Sequence, residues 1–455
     1  MQPGDATQAA PAELAAELAA RAALAALPAI TARGGGGAAA GGAGRRVVVS
    51  GVGAVSGFGW GVEALWQGLR GGATAIRPFT RFDHSAHRTH LAGEVPARPP
   101  AEAAVAAQPD CRQLSLADRF ALAAAEEALA AAGLGEALRL LPEGAAGVFF
   151  GSSTGGMWES ERFLAGLFGG RRGSLRAVAS QQVNGPGDAV ARRLGITGPV
   201  QTVSSACASG ALAIAAALAS LRGGEIEVAL AGGSDSLCQL TYAGFNSLRS
   251  VDEAPCRPFR AGRAGMSIGE GAAVLVLEPL ERVLARGALP LAELAGAGGA
   301  CDAFHMTAPE PEGSGAAAAI AAALGDAGLA ADEIDFVNAH ATGTPHNDAA
   351  EWRALRGVFG ERAGRIPVTA TKAGVGHLLG CSGAIEALVT VLSLARGELH
   401  PVPAAADPID DACPAALVIG RPLALPAARA GLSTSLAFGG SNAALVFTRW
   451  TGATP

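Results

Sequence analysis

The chain has 455 residues, 50% hydrophobic and 16% charged, with 64 glycines, enough to bury a large core in one large or two medium domains. Its formal net charge of -6 argues against a nucleic-acid binder, which needs a basic excess or stripe to neutralise phosphates. Of its 34 basic residues all but Lys372 are arginine.

A membrane span needs about 20 mostly apolar residues. The uncharged stretch 194–221 is broken by Gly198-Pro199, Gln201 and a Thr/Ser cluster, and the stretch 378–394 carries Glu386. The cysteines are Cys111, Cys207, Cys238, Cys256, Cys301, Cys381 and Cys413, an odd number without CxxC or zinc spacing, which fits a reducing compartment. The expectation is a soluble, cytoplasmic protein.

Residues 1–44 stand apart. An Ala/Leu stretch over 11–27 runs into glycines at 34–37, which reads as a loosely ordered extension, with a docking helix as the alternative. No early basic run precedes the apolar part, against a signal peptide.

From Arg45 onward, short apolar runs alternate with Ala/Leu-rich helical periods, the pattern of an α/β protein with parallel strands buried on both faces. The pattern predicts strands over 47–49, 147–151, 200–204, 228–231, 273–277, 336–339, 367–369 and 443–447. Helices are expected over 116–132, 208–221, 280–286, 316–324, 348–358 and 377–395. A break near Pro290 divides the chain into units 45–290 and 291–455.

Four segments carry chemistry. In Thr202-Val203-Ser204-Ser205-Ala206-Cys207-Ala208-Ser209-Gly210 a strand ends, a tight turn follows and an Ala-rich helix begins at the cysteine. A thiol there meets unpaired amides and the positive end of the dipole, which favour thiolate; a small buried core cysteine fits the segment equally well. In Val337-Asn338-Ala339-His340-Ala341-Thr342-Gly343-Thr344-Pro345 a strand delivers a histidine to a loop mouth, where α/β proteins place their sites. Asp348 and Glu351 follow on one helical face, able to orient charged groups or simply to sit at a helix start.

The third segment, Thr369-Ala370-Thr371-Lys372-Ala373-Gly374-Val375-Gly376-His377, repeats the strand, glycine turn and histidine. It also holds the single lysine, a compact ammonium that a planar guanidinium cannot replace. The fourth, Ser435-Leu436-Ala437-Phe438-Gly439-Gly440-Ser441-Asn442, leads a strand into a turn whose glycines free amides for a ligand; alone it would read as a hairpin turn.

In this order the four segments resemble the beta-ketoacyl-acyl-carrier-protein synthases, the elongating Cys-His-His condensing enzymes of the thiolase-like superfamily. Further matches are Arg257-Pro258-Phe259 leading to Gly269-Glu270-Gly271-Ala272, and Asp302-Ala303-Phe304-His305-Met306-Thr307. The resemblance implies an α/β thiolase-like fold, two similar βαβ halves in a layered α-β-α-β-α core. It implies a decarboxylative Claisen condensation, in which Cys207 takes an acyl group and malonyl-acyl carrier protein extends it. His340 and His377 would hydrogen-bond the enolate, while Lys372 would pair with Glu351 and Glu386, near Asp348. The amides of Cys207 and Phe438 would form the oxyanion hole, Phe438 and Gly439 the gate, and Thr342, Thr344 and Thr307 the pantetheine contacts. Thr154, where relatives carry a larger apolar residue, would line the acyl pocket and suit a polyene or aryl chain. Ala341 stands where many relatives have glycine.

No metal and no cofactor of its own is implied, since the substrates ride on carrier phosphopantetheine. The partners implied are acyl carrier protein and a second copy, with a heterodimer alongside an inactive chain-length subunit as the alternative. Arg70, Arg77 and Arg81 are the arginine cluster considered for carrier docking. A coenzyme A thiolase would need a second cysteine in Cys-x-Gly; Cys381-Ser382-Gly383 has that spelling but lies in a helical stretch and reads as packing. A cysteine hydrolase would need a third residue to orient the Cys/His pair. His84, His87 and His90 read as a solvated loop, not a metal site.

Overall fold

A computed structural model describes residues 45–98, 114–171, 173, 175–179 and 181–452. The expected extension over 1–44 and Cys111 lie outside the described residues.

The first strand, β1 (Val47–Ser56), is wholly buried. Helix α1 (Leu116–Ala132) follows, opened by a Ser115/Asp118 capping box and closed by left-handed Gly133, both strong terminus signals. Then come β2 (Ala146–Gly151), β3 (Val200–Val203), α2 (Ser209–Arg222), β4 (Val228–Asp235) and β5 (Gly271–Pro279). The second set runs β6 (Ala292–Cys301), α3 (Ser314–Ala327), β7 (Phe336–Asn338), α4 (Pro345–Phe359), β8 (Pro367–Thr369), α5 (Ser382–Arg396), β9 (Ala430–Leu436) and β10 (Ser441–Thr448).

The longer strands of one 12-stranded sheet lie in the order β8-β7-β9-β10-β6-β1-β5-β4-β2-β3. Each set therefore repeats one arrangement, its third, second, fourth, fifth and first strands side by side. The pairings repeat too: β2 is parallel to β3 and β4, as β7 is to β8 and β9. β5 is antiparallel to β4 and β1, as β10 is to β9 and β6. The sheet is thus mixed, not the parallel one that the apolar runs suggested. The sets join through β1 and β6 at Val48↔Glu293 and Val49↔Ala292.

Helix α1 packs outside β1 and β5, and α3 outside β6 and β10, while α2 and α5 pack together and touch strands of both sets. This is the layered α-β-α-β-α core. Small residues permit it: a Cβ on Gly53 would lie 1.9 Å from Ala124 O in α1, and one on Gly298 2.2 Å from Ala319 O in α3. The central helices meet as closely, with a Cβ on Gly210 reaching 2.7 Å from the Ala384 nitrogen. That contact brings the start of α2, just after Cys207, against the start of α5, just after His377. Among the described residues one helix, Leu379–Arg396, is long and apolar enough to cross a membrane, but 89% of it is buried inside the protein.

Candidate active site

The carboxyl ends of β3, β7, β8 and β9 deliver the four motif segments to one cavity of about 220 Å³. Cys207, His340, His377, Phe438, Thr342, Thr344 and Thr307 all line it. Cys207 Sγ lies 3.0 Å from His377 Nε2, and the two imidazoles stand edge to face with centroids 5.6 Å apart. The N–H groups of Phe438 and of Cys207 itself both reach the sulfur.

Hydrogen-bond partners fix the imidazole tautomers. His377 Nδ1 accepts the Leu379 N–H at 3.0 Å and lies 2.8 Å from Ser382 Oγ. A nitrogen facing a backbone donor carries no proton, so in neutral His377 the proton sits on Nε2. His340 Nδ1 lies 2.9 Å from Lys372 Nζ, which likewise leaves its Nε2 as the donor. Burial and the nearby Lys372 charge hold both imidazoles well below their usual pKa, so both are neutral donors aimed at one space.

Lys372 also donates to His340 O at 2.6 Å and to Glu386 Oε1. Three acceptors use all three N–H groups of an ammonium. Burial pushes Glu386 up to about 7, opposed by Lys372.

Glu351 departs from the expected pairing. Its carboxylate accepts the N–H groups of His340 and Ala341, each at 2.7 Å, and the Thr434 hydroxyl at 2.7 Å, so it shapes the His340 loop and leaves Lys372 to Glu386. Ala341 sits at φ 42, a left-handed conformation that glycine adopts at no steric cost. Asp348 accepts the N–H groups of Phe259 at 2.8 Å and Gly343 at 3.1 Å, and burial raises it to about 6. It too acts on backbone rather than on Lys372.

Cys207 departs as well. The helix begins at Ser209, and burial pushes the thiol up to about 11 against the pull of Lys372 and the Phe438 amide. The resting group is a thiol, because desolvation of a thiolate outweighs the amides that face it.

Thr154 is buried but does not line the cavity; its hydroxyl and N–H each bind Asp235 at 2.8 Å. Gly439, at φ 83, is exposed with open space around its Cα and donates to Met306 O at 2.8 Å. Cys381 is fully buried and lies outside the cavity. Arg81 is tied to buried Glu270 and to Glu94, and Arg70 to Glu398; neither lines the mouth, where exposed Arg249 follows Leu248. His84 and His87 are half-buried and His90 is exposed, with His84 stacked on Phe79 at 4.3 Å and within reach of His90.

One sulfur and two imidazoles within 4.8 Å could also hold a metal ion. A metal-bound imidazole donates its other N–H to an acceptor. Here the other nitrogens face an ammonium and a backbone N–H, which hold protons on the atoms a metal would need.

Residues 44–282 match the beta-ketoacyl synthase N-terminal domain and residues 291–405 its C-terminal domain. The chain belongs to the beta-ketoacyl synthase family. It is 36% identical to 3-oxoacyl-(acyl-carrier-protein) synthase 2 of Synechocystis over 89% of this chain and 98% of that protein. Nodulation protein E of Rhizobium meliloti is also 36% identical, over 89% of this chain and 99% of that protein. Among solved structures, the ishigamide ketosynthase/chain length factor superposes with a TM-score of 0.84 at 35% identity, covering 90% of this chain and 100% of that one. A ketosynthase in complex with its chain length factor from Xenorhabdus doucetiae gives 0.78 at 31% identity, over 89% and 98%. The chain is a condensing ketosynthase, an acyltransferase.

The sequence motifs contain Ser382, Asn442 and Asp302 but do not signal their places around this beta-ketoacyl synthase site. Ser382 lies inside the Cys-x-Gly spelling that was weighed only for its cysteine. Asn442 Nδ2 binds Asp302 Oδ1 at 2.6 Å, a pairing between motifs that neither motif signals alone.

Proposed function

We propose that Cys207 of this ketosynthase accepts an acyl group from a carrier-bound thioester and that His340 and His377 then drive decarboxylation of malonyl-acyl carrier protein. In the first step Cys207 Sγ bonds to the acyl carbon, the carbon–sulfur bond to pantetheine breaks, and the thiol proton ends on the departing sulfur. The Phe438 and Cys207 amides stabilise the tetrahedral oxyanion.

Malonyl pantetheine then enters past Thr342, Thr344 and Thr307. Loss of carbon dioxide leaves its electron pair on the adjacent carbon and the thioester oxygen. The two Nε2–H groups donate to that oxygen, a charge that exists only along the reaction path, so they favour the transition state over bound substrate. The enolate carbon attacks the acyl-cysteine, the carbon–sulfur bond breaks, the cysteine leaves as thiolate and takes a proton from solvent, and a β-ketoacyl carrier two carbons longer departs. Lys372 acts through His340, keeping its proton on Nε2.

The observation that carries this reading is the pair of neutral Nε2–H donors beside Cys207 Sγ, each fixed by a donor on its far nitrogen. Intact-protein mass after incubation with acyl carrier tests it: an adduct on wild type and none on Cys207→Ala supports it. A second copy of this chain completes the enzyme in the first reading. The chain length factor partners named for two of the similar structures favour a second reading, an obligate heterodimer, and size measurement of the purified chain alone separates them.

A further inference from the structure

Asp235, at the carboxyl end of β4, is wholly buried and has no part in the reaction above. Five donors surround its carboxylate. Ser152 Oγ lies at 2.7 Å, Thr154 Oγ1 at 2.8 Å, and the N–H groups of Ser153 and Thr154 at 3.0 and 2.8 Å. The fifth, the Gly380 N–H at 2.7 Å, comes from the other set of strands, three residues after His377. No side chain fits at 380, where a Cβ would lie 2.7 Å from Asp235 Oδ2.

Leu379, between His377 and Gly380 along the chain, is held at φ 53. Leucine avoids that left-handed region unless its surroundings hold it there. In this conformation the Leu379 N–H meets His377 Nδ1. A related link runs to the nucleophile: Ser153, whose N–H binds Asp235, donates its hydroxyl to Ala206 O at 3.3 Å. Ala206, just before Cys207, is itself left-handed at φ 44. Two strained turns, one before the sulfur and one after the imidazole, thus converge on one carboxylate.

We infer that Asp235 is the positioning residue for His377, clamping Gly380 so that the Leu379 amide stays on Nδ1 and the proton stays on Nε2. The inference rests on the enolate-stabilising role given to His377 above. Asp235→Asn keeps the size of the side chain but sets an amide NH2 against donors. The variant should lose about a hundredfold in kcat for malonyl decarboxylation, the scale of an ångström-sized misplacement. KM for malonyl carrier should stay within about twofold, because uniform binding is untouched, and acylation of Cys207 should fall less than decarboxylation. Nitrogen-15 spectra of histidine-labelled protein should show the His377 Nε2–H form in wild type and a tautomer mixture in the variant. Ser152→Ala, which withdraws one donor and keeps the carboxylate, should show the same split in weaker form if Asp235→Asn does not fold. Wild-type decarboxylation with an unchanged His377 tautomer in either folded variant would overturn the inference. A wild-type enzyme that neither acylates Cys207 nor decarboxylates malonyl carrier would instead overturn the reading beneath it.

Discussion

Lys372 Nζ lies 2.9 Å from His340 Nδ1 and donates at the same time to the His340 carbonyl and to Glu386. One compact cation therefore satisfies three acceptors converging from different directions, and this geometry explains why a chain otherwise basic through arginine keeps a lysine here.

Lys372→Arg preserves charge but replaces three divergent donors with a planar fork. Decarboxylation of malonyl carrier should fall at least about tenfold, while acyl transfer to Cys207 persists. The two half-reactions, followed separately by released carbon dioxide and by intact mass, check this. An arginine variant with wild-type decarboxylation would show that charge alone suffices at this position.

His400 is fully buried behind the site, its Nε2 3.1 Å from Thr369 Oγ1 and 3.3 Å from Thr371 Oγ1, and burial pushes it down to about 4 from 6.5. The unfolded chain therefore binds a proton that the folded one refuses. Stability from this group is full above pH 6.5 and is lost as pH falls towards 4, about 3 kcal/mol over that window. Urea unfolding of wild type and His400→Gln at pH 7 and 5 should show a smaller acid loss in the variant. Equal losses would remove His400 from the acid response, leaving it to His340 and His377, which are shifted the same way.

Gly53 faces Ala124 O of α1, 1.9 Å from where a Cβ would stand. Gly53→Ala must push helix from strand, and overpacking of this kind costs about 1–3 kcal/mol or more. Thermal melts should show a clear fall for it and almost none for Gly135→Ala, where a Cβ has open space.

The same glycines mark where the sequence was hard to read. The strand β6, Ala-Glu-Leu-Ala-Gly-Ala-Gly-Gly-Ala-Cys, offers no apolar run and resembles a loop. Yet Gly296 and Gly298 are there because α3 rests on them, a contact between segments distant in sequence. β1 was anticipated only to Val49 for the same reason, although it continues through Gly51 and Gly53 to Ser56. The strand 367–369 and the helix α1 over 116–132 were legible because their signals are local.

At the site, Cys207, His340, His377, Lys372 and Phe438 were legible because each ends a strand-and-turn motif. The partners of the carboxylates were not. Whether Glu351 faces an ammonium or two backbone amides depends on how the His340 loop curls at Ala341, and the protonation of Cys207 depends on how deeply its turn is buried. The hydrogen bonds of Thr154 were not legible because their acceptor, Asp235, lies on another strand.

The nucleophile and the enolate-stabilising donors are separate groups in one cavity. Cys207→Ala, supplied with acyl carrier and with malonyl carrier in separate incubations, should gain no acyl mass and should still release carbon dioxide from malonyl carrier, because both Nε2–H donors remain. An acyl adduct on this variant, or the loss of decarboxylation in a folded protein, would contradict that separation.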